Sequence, residues 1–513
     1  MSRFSSRSVP RNPREALDAL VGATSRRITV DLRALATLRI TLALIVFSDL
    51  LLRARSMRAF YTDDGVLPSS LLNDPLTRPY SIHALWGSLE AQMVLFAIAG
   101  VFAVMLLVGY RTRLATAVTW FLLLSLQTRN PYVLNSGDVL LRMLLFWGMF
   151  LPLGERWSLD ARRVDRDRVV LATLGTAGLL VQAALVYGVN AIHKLRSDDW
   201  VYGNAAGTVM HLDQFTILLG PYLAEFPELM KVATVFWTVL LVAAPLLLLT
   251  TGWRRALLAT AFAGVHAGMI LTMQLGIFPY VSIASMIAFY PPFVWDRLED
   301  AVADRRPIRR LGDLLDWLHR RDPLARLSAR VRAIDMPEWP SPVQVTSTVV
   351  PLVFIPLIVI SGVASVGYAE TPDQGEELLS HTQMDQRWNM FAPNPLSITR
   401  HVVARGNTTE GELVSPFPGA RSSWDRPPNS ADTMRNERWR KYIQWVSGET
   451  PTNYPDYFGR YLCEEWNRNH DTDLANVSLW IVHQRVTPDG PVGEPERDVV
   501  VSEYDCSGDL IQA

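Results

Sequence analysis

One lysine, Lys194, closes a run of apolar and small residues and is followed at once by charge, in the stretch NAIHKLRSDDW at 190–200. Of the 49 Lys plus Arg in the chain only Lys194, Lys231 and Lys441 are lysine, so nearly every cationic role falls to arginine. Arginine keeps its proton at any ordinary pH, whereas a desolvated lysine can release it and act as a base. Asn190 lies one helical turn before Lys194 and either orients the amine or merely solvates it. His266, in GVHAGM, stands among Gly264, Ala267 and Gly268, small residues that admit a neighbouring helix or a ligand. It reads as a satisfied hydrogen-bonding residue or as an acid–base group. Asp138 and Arg142 share one helical face, as an internal ion pair that fixes packing or as part of a site. The polar, Pro- and Gly-broken segment QTRNPYVLNSGD, 127–138, lines a cavity mouth or caps two helices.

These residues lie in or beside long apolar stretches. In a chain of 513 residues, 49% of them hydrophobic, that pattern indicates a polytopic α-helical membrane protein with a soluble part. A net charge of −1 argues against a nucleic-acid partner. Windows of about 17 to 25 apolar residues predict about nine transmembrane helices, near 33–52, 91–109, 114–128, 138–153, 169–192, 232–251, 256–274, 277–293 and 343–366. The Arg-rich, polar residues 1–30 lack the pattern of a cleavable signal and are expected to form a cytoplasmic arm. Segments 110–113, 154–168, 251–255 and 294–342 are basic, which places them and the N-terminus on the cytoplasmic side. Within 294–342, residues 305–335 read as a basic amphipathic helix lying on the inner leaflet.

The domain plan that follows is an arm at 1–30, eight helices over 31–293, the amphipathic segment 294–342, a ninth helix at 343–366 and an extracytoplasmic domain at 367–513. The last is expected to be small and β-rich or α+β, because alternating stretches such as LWIVHQRV (479–486) and RDVVVSEYD (497–505) read as strands. Cys463 and Cys506, its only thiols, are expected to pair in an oxidising compartment. No CxxC or His/Cys spacing suggests a metal site.

Five stretches taken in order, 31–68, 129–147, 191–203, 266–281 and QRWNMFAPNP at 386–395, resemble the HTTM family, the horizontally transferred transmembrane domain that includes vitamin K-dependent γ-glutamyl carboxylase. The resemblance implies an integral membrane enzyme in which a lysine after a membrane helix initiates deprotonation of reduced vitamin K, or here menaquinol. Oxygenation with O2 then generates the strong base that removes a γ proton from a peptide Glu, and CO2 adds. Lys194, followed by Leu195, acidic residues and Trp200, is similar to that lysine, and His266, ten residues before Gly276, resembles a family histidine. A quinol pocket needs apolar and aromatic walls with few polar groups. Trp147, Phe278 and Tyr280 are expected to supply them, with Asn130, Asn135, Asn190 and His193 as the polar lining.

The chain departs from the carboxylase in three places. His193-Lys194 stands for paired lysines, the stretch up to Trp200 is one residue longer, and Asn130, Pro131 and Asn135 occupy the region of a second histidine. Besides the lipid bilayer, the implied partner is a secreted peptide or protein substrate. The competing reading is a non-catalytic HTTM protein acting in maturation, immunity or transport of a secreted product. A transporter proper is disfavoured, because the halves show no internal repeat and no dense run of intramembrane carboxylates.

Overall fold

The computed structural model describes residues 13–72, 81–163, 168–302, 342–448 and 453–507. Helices of eight or more residues are numbered here. The first is α1 (Pro13–Ile28), so the N-terminal arm is partly helical. A two-stranded ribbon, β1 (Val30–Asp31) with β2 (Val170–Leu171), ties the starts of two long helices together, α2 (Leu32–Ala54) and the α6 described below. Asp31 begins α2 sharply, its carboxylate accepting from the Arg33 backbone N–H at 2.8 Å.

The bundle continues with α3 (Leu89–Val108), α4 (Thr112–Arg129), α5 (Ser136–Gly148), α6 (Leu174–Lys194), α7 (Pro227–Val242), α8 (Gly252–Thr272) and α9 (Phe278–Met286). A short α10 (Pro292–Val302) leads out of it, and α11 (Pro342–Ser365) returns to pack along α6. Among the described residues five helices are long and apolar enough to cross a membrane: Leu32–Ala54, Leu89–Val108, Leu174–Lys194, Gly252–Thr272 and Val345–Ser365. Outward-facing Val94, Ile98, Val101 and Val104 on α3 form the kind of apolar flank that lipid covers. The chain is a multi-pass membrane protein.

The other four expected spans take different forms. At 138–153 the helix is only 13 residues long and almost wholly buried. At 232–251 it breaks between α7 and a turn at Leu246–Leu249, and at 277–293 a nine-residue helix runs into a 3₁₀ turn. At 114–128 α4 is 18 residues long, with Thr119, Ser125, Gln127 and Arg129 buried in its core face. Hydropathy counts apolar residues without knowing whether protein or lipid will cover them, and short buried helices satisfy it equally well. The amphipathic helix expected at 305–335 lies outside the described residues.

The C-terminal part is α+β. It comprises α12 (Asp373–Thr382), α13 (Glu437–Val446), α14 (Tyr454–Asn469) and an antiparallel sheet in the order β4-β3-β5-β6. The strands are β3 (Ile398–Thr408), β4 (Leu413–Val414), β5 (Leu474–Thr487) and β6 (Gly490–Asp505), the last two containing both stretches read as strands. A disulfide joins Cys463 on α14 to Cys506 just past β6. This part is not a separate body, because its core is continuous with that of the bundle. Trp439 packs on Phe60 with ring centroids 4.5 Å apart, and Trp445 stacks on Tyr132 at 3.5 Å. Helix α13 therefore lies against the turns that end α2 and precede α5.

Candidate functional site

A cavity of about 580 Å³ opens between α6, α7, α8 and the C-terminal part. Its apolar wall comes from the bundle, with Tyr187, Trp237, Val265, Met269 and Phe278 among the lining residues. Lys194 sits in the last turn of α6 and projects into this space. It is 2% exposed, and its amine lies 3.0 Å from the centre of the Trp200 ring, a cation–π seat. Among the described residues no hydrogen bond or ion pair reaches that amine, and neither Asp198 nor Asp199 pairs with it.

Buried arginines behave differently. Arg39 donates to the carbonyl oxygens of Leu153, Arg156 and Trp157, Arg129 to those of Thr62 and Leu67, and Arg440 to those of Gln214 and Gln274. These buried arginines are engaged by carbonyls, whereas the Lys194 amine faces the cavity without such a partner.

The stretch 386–395 forms a strap that holds this corner. Asn190 donates its side-chain amide to the carbonyl oxygens of Trp388 (2.9 Å) and Met390 (3.2 Å), and the Trp200 indole N–H donates to that of Phe391 (2.9 Å). Gln182 anchors the start of the strap, donating to the Gln386 side chain at 2.7 Å. Asn190 therefore orients the strap over the lysine and lines the cavity, without bonding the amine itself.

His266 does not line the cavity directly. Its ring packs edge-on against Tyr187, Trp237 and Phe278, with centroids 5.6 to 5.7 Å away, and so lies just behind the aromatic wall. Nδ1 donates to the Phe262 carbonyl oxygen at 2.8 Å, which leaves Nε2 buried with no partner among the described residues. Gly268, two residues on, has nothing within 4 Å of where a Cβ would stand, and it lines the cavity.

The opposite wall comes from α13. Glu437, Arg440, Lys441 and Gln444 recur at helical spacing and share the face turned to the cavity. The Glu437 carboxylate accepts from the Asn135 side-chain amide, a bond that ties α13 to the polar turn before α5. Gly276 makes this approach possible: its φ of +59° suits glycine, and any Cβ there would collide with the Glu437 carboxyl. Burial pushes the Glu437 carboxyl up to about 7, and burial with Arg440 alongside pushes the Lys441 ammonium down. Asn135 also caps α5, accepting from the backbone N–H groups of Gly137 (2.6 Å) and Asp138 (3.0 Å).

Beneath this contact lies a buried network of two carboxylates and two guanidinium groups. Arg53 bonds Asp49 at 2.7 Å and also pairs with Asp138, while Arg438 reaches down from α13 to Asp49 at 2.5 Å and Asp138 at 3.1 Å. The pairing expected within α5 is thereby corrected: Asp138 does not bond Arg142, which turns instead to the side chain of Gln127 and the Gln383 carbonyl oxygen. Local spacing allowed the Asp138–Arg142 pair. Two guanidinium groups arriving from α2 and α13 satisfy the carboxylate better than one neighbour on its own helix.

Of the residues expected in the pocket, Lys194, Asn135, Asn190 and Phe278 line it. The others do not. Asn130 is buried in a turn, donating to the Phe60 carbonyl oxygen, and Trp147 is buried between helices beside Gln182. Tyr280 is 47% exposed on the outer side of α9, and His193 is half-buried beside Lys194 but outside the cavity. Closeness in sequence does not bring these residues into the cavity, because helical rotation decides which face a residue presents. Sequence reasoning missed Glu437, Lys441, Tyr187 and Trp237. For Lys441 the signal was available, because the same scarcity of lysine that singles out Lys194 singles it out too.

Among the described residues no group of three or more His, Cys, Asp or Glu side chains could hold a metal ion. No curated protein and no solved structure matches the chain. A family model described as the HTTM domain matches residues 28–295, just over half of the 513, and spans the bundle from the end of α1 to α10. By that match the chain belongs to the HTTM domain family.

Proposed function

We propose that this protein is a membrane enzyme of the vitamin K-dependent carboxylase type, with Lys194 as its general base. The single observation that carries the reading is the Lys194 amine, buried at a cavity wall with only the Trp200 ring for company among the described residues. The buried structural cations described above are arginines bonded to carbonyls or carboxylates; a lysine can take up and release a proton.

The cavity suits a reduced quinone. Its volume falls within the range of small-molecule sites, its bundle side is aromatic and aliphatic, and polar groups are few there. Phe278, Trp237 and Tyr187 would hold a quinol ring, with the buried His266 ring packed behind them. A bound quinol would supply reducing equivalents for O2, and CO2 would be the group added to the substrate. Lys194 would take a proton at Nζ, Trp200 would stabilise the resulting ammonium, and the strap would hold the Trp200 ring in place beside it.

The substrate is an extracytoplasmic peptide or small molecule entering from the side of α13. This orientation rests on the basic segments 110–113, 154–168, 251–255 and 294–342, whose charge favours a cytoplasmic N-terminus with residues 367–513 on the other side. The test is full-length protein in lipid nanodiscs with menaquinol or reduced vitamin K and O2, following quinone epoxide. Wild type is expected to turn over, and Lys194→Arg and Lys194→Ala to lose activity while remaining folded. Full epoxidation by the Arg variant removes the base assignment. A folded wild type without turnover makes this a non-catalytic member of the family.

A further inference from the structure

Glu437 is a buried carboxyl that the reading above does not use. It belongs to the part of the chain beyond the family match, yet it lines the same cavity as Lys194. It is 6% exposed, and among the described residues its only hydrogen bond comes from the Asn135 amide. Three segments cooperate to seat it: the turn carrying Asn135, the left-handed Gly276 that leaves room for it, and the N-terminus of α13.

The other carboxylates nearby are committed. Asp49 and Asp138 are each held by both Arg53 and Arg438. The charged groups facing Glu437 are Asp138 from α5, which opposes its ionisation, and Arg438, Arg440 and Lys441 from its own helix, which favour it. None of the three cations forms an ion pair with it. Arg438 is turned to the aspartates, and Arg440 to two carbonyls and the Phe215 ring 3.9 Å away. The carboxyl is thus balanced between opposing charges, burial opposes its ionisation, and it is free to change protonation state without breaking a salt bridge.

We propose that Glu437 is the second acid–base group of the Lys194 cavity, returning the proton captured by the lysine to water at the cavity mouth. The step moves protons only. The Lys194 ammonium gives one through cavity water to the Glu437 carboxylate, regenerating the amine, and the carboxylic acid then gives it to solvent. The proposal rests on Lys194 being the base, and it explains how a base enclosed by rings and a strap is reset between turnovers.

The test uses Glu437→Gln in the full-length protein, because an amide oxygen still accepts from Asn135 and the docking of α13 is kept. The first turnover is expected to survive, and steady-state epoxide formation to fall roughly a hundredfold or more. Imidazole in the buffer should restore it by ferrying the proton. Wild-type turnover should fall as pH drops through about 7, where the Glu437 carboxylate is lost, and that limb should be absent from the Gln variant. A Gln variant with wild-type turnover and an unchanged limb overturns the role of Glu437 and leaves Lys194 standing. Full activity in Lys194→Arg overturns the base instead. Should wild type show no quinol turnover, infrared difference spectra still decide whether Glu437 exchanges protons. A carboxylic C=O band titrating near 7 and missing from Glu437→Gln is expected, and its absence from wild type overturns the assignment.

Discussion

Replacing Arg438 by methionine should detach the C-terminal part from the bundle. Its guanidinium bonds Asp49 at 2.5 Å, Asp138 at 3.1 Å and the Val133 carbonyl oxygen at 3.2 Å, all in a region under 10% exposed. Without it two buried carboxylates share Arg53 alone, and the network carries a net negative charge. Removing one partner of a buried ion pair costs about 3–5 kcal/mol, chiefly because the other is left uncompensated. Arg438→Met should therefore lose about that much, while Asp49→Asn in the same chain restores neutrality and should recover about 2 kcal/mol of it. SDS titration of protein in mixed micelles, run as a double-mutant cycle, measures both, and limited proteolysis reports whether α13 has come away. A single variant costing less than about 1 kcal/mol, or a double variant whose losses simply add, would refute the idea that the network docks the tail.

Cys463→Ser opens a loop of 43 residues and should destabilise the C-terminal sheet by about 4 kcal/mol on loop entropy, read as a shift in its thermal unfolding; under 1 kcal/mol would count against it. Reporter fusions ending at residue 160 should read cytoplasmic and those ending at 448 extracytoplasmic. The same side at both positions would invalidate the orientation.

Lys194 was legible because a rare residue type stood at a chemically awkward place, and Cys463 with Cys506 because the chain has no other thiol. Strands β5 and β6 were legible from alternation, which local sequence encodes directly. The bundle's short helices were not: α5 and α9 are about as apolar as the long helices, and their shortness and burial are set by tertiary packing that hydropathy does not see. The same limit hid Lys441 and Glu437. Their helix has a strongly two-sided sequence, ERWRKYIQWV, whose buried face reads as ordinary domain core until Trp439 and Trp445 are seen packing on Phe60 and Tyr132. Asp138–Arg142 failed for the converse reason, since spacing within one helix says nothing of guanidinium groups arriving from hundreds of residues away.

The cavity's far wall is supplied by residues 389–396 and 437–444, which the ribosome makes long after every bundle helix that faces them. During synthesis the bundle exists for a time with Lys194 present but unroofed, because the strap and α13 have yet to be translated. The cavity is complete only once the tail has folded and inserted Arg438 between Asp49 and Asp138. Translation of the tail is therefore the event that closes the cavity, and a product ending before residue 389 would be a bundle in which Lys194 has no roof.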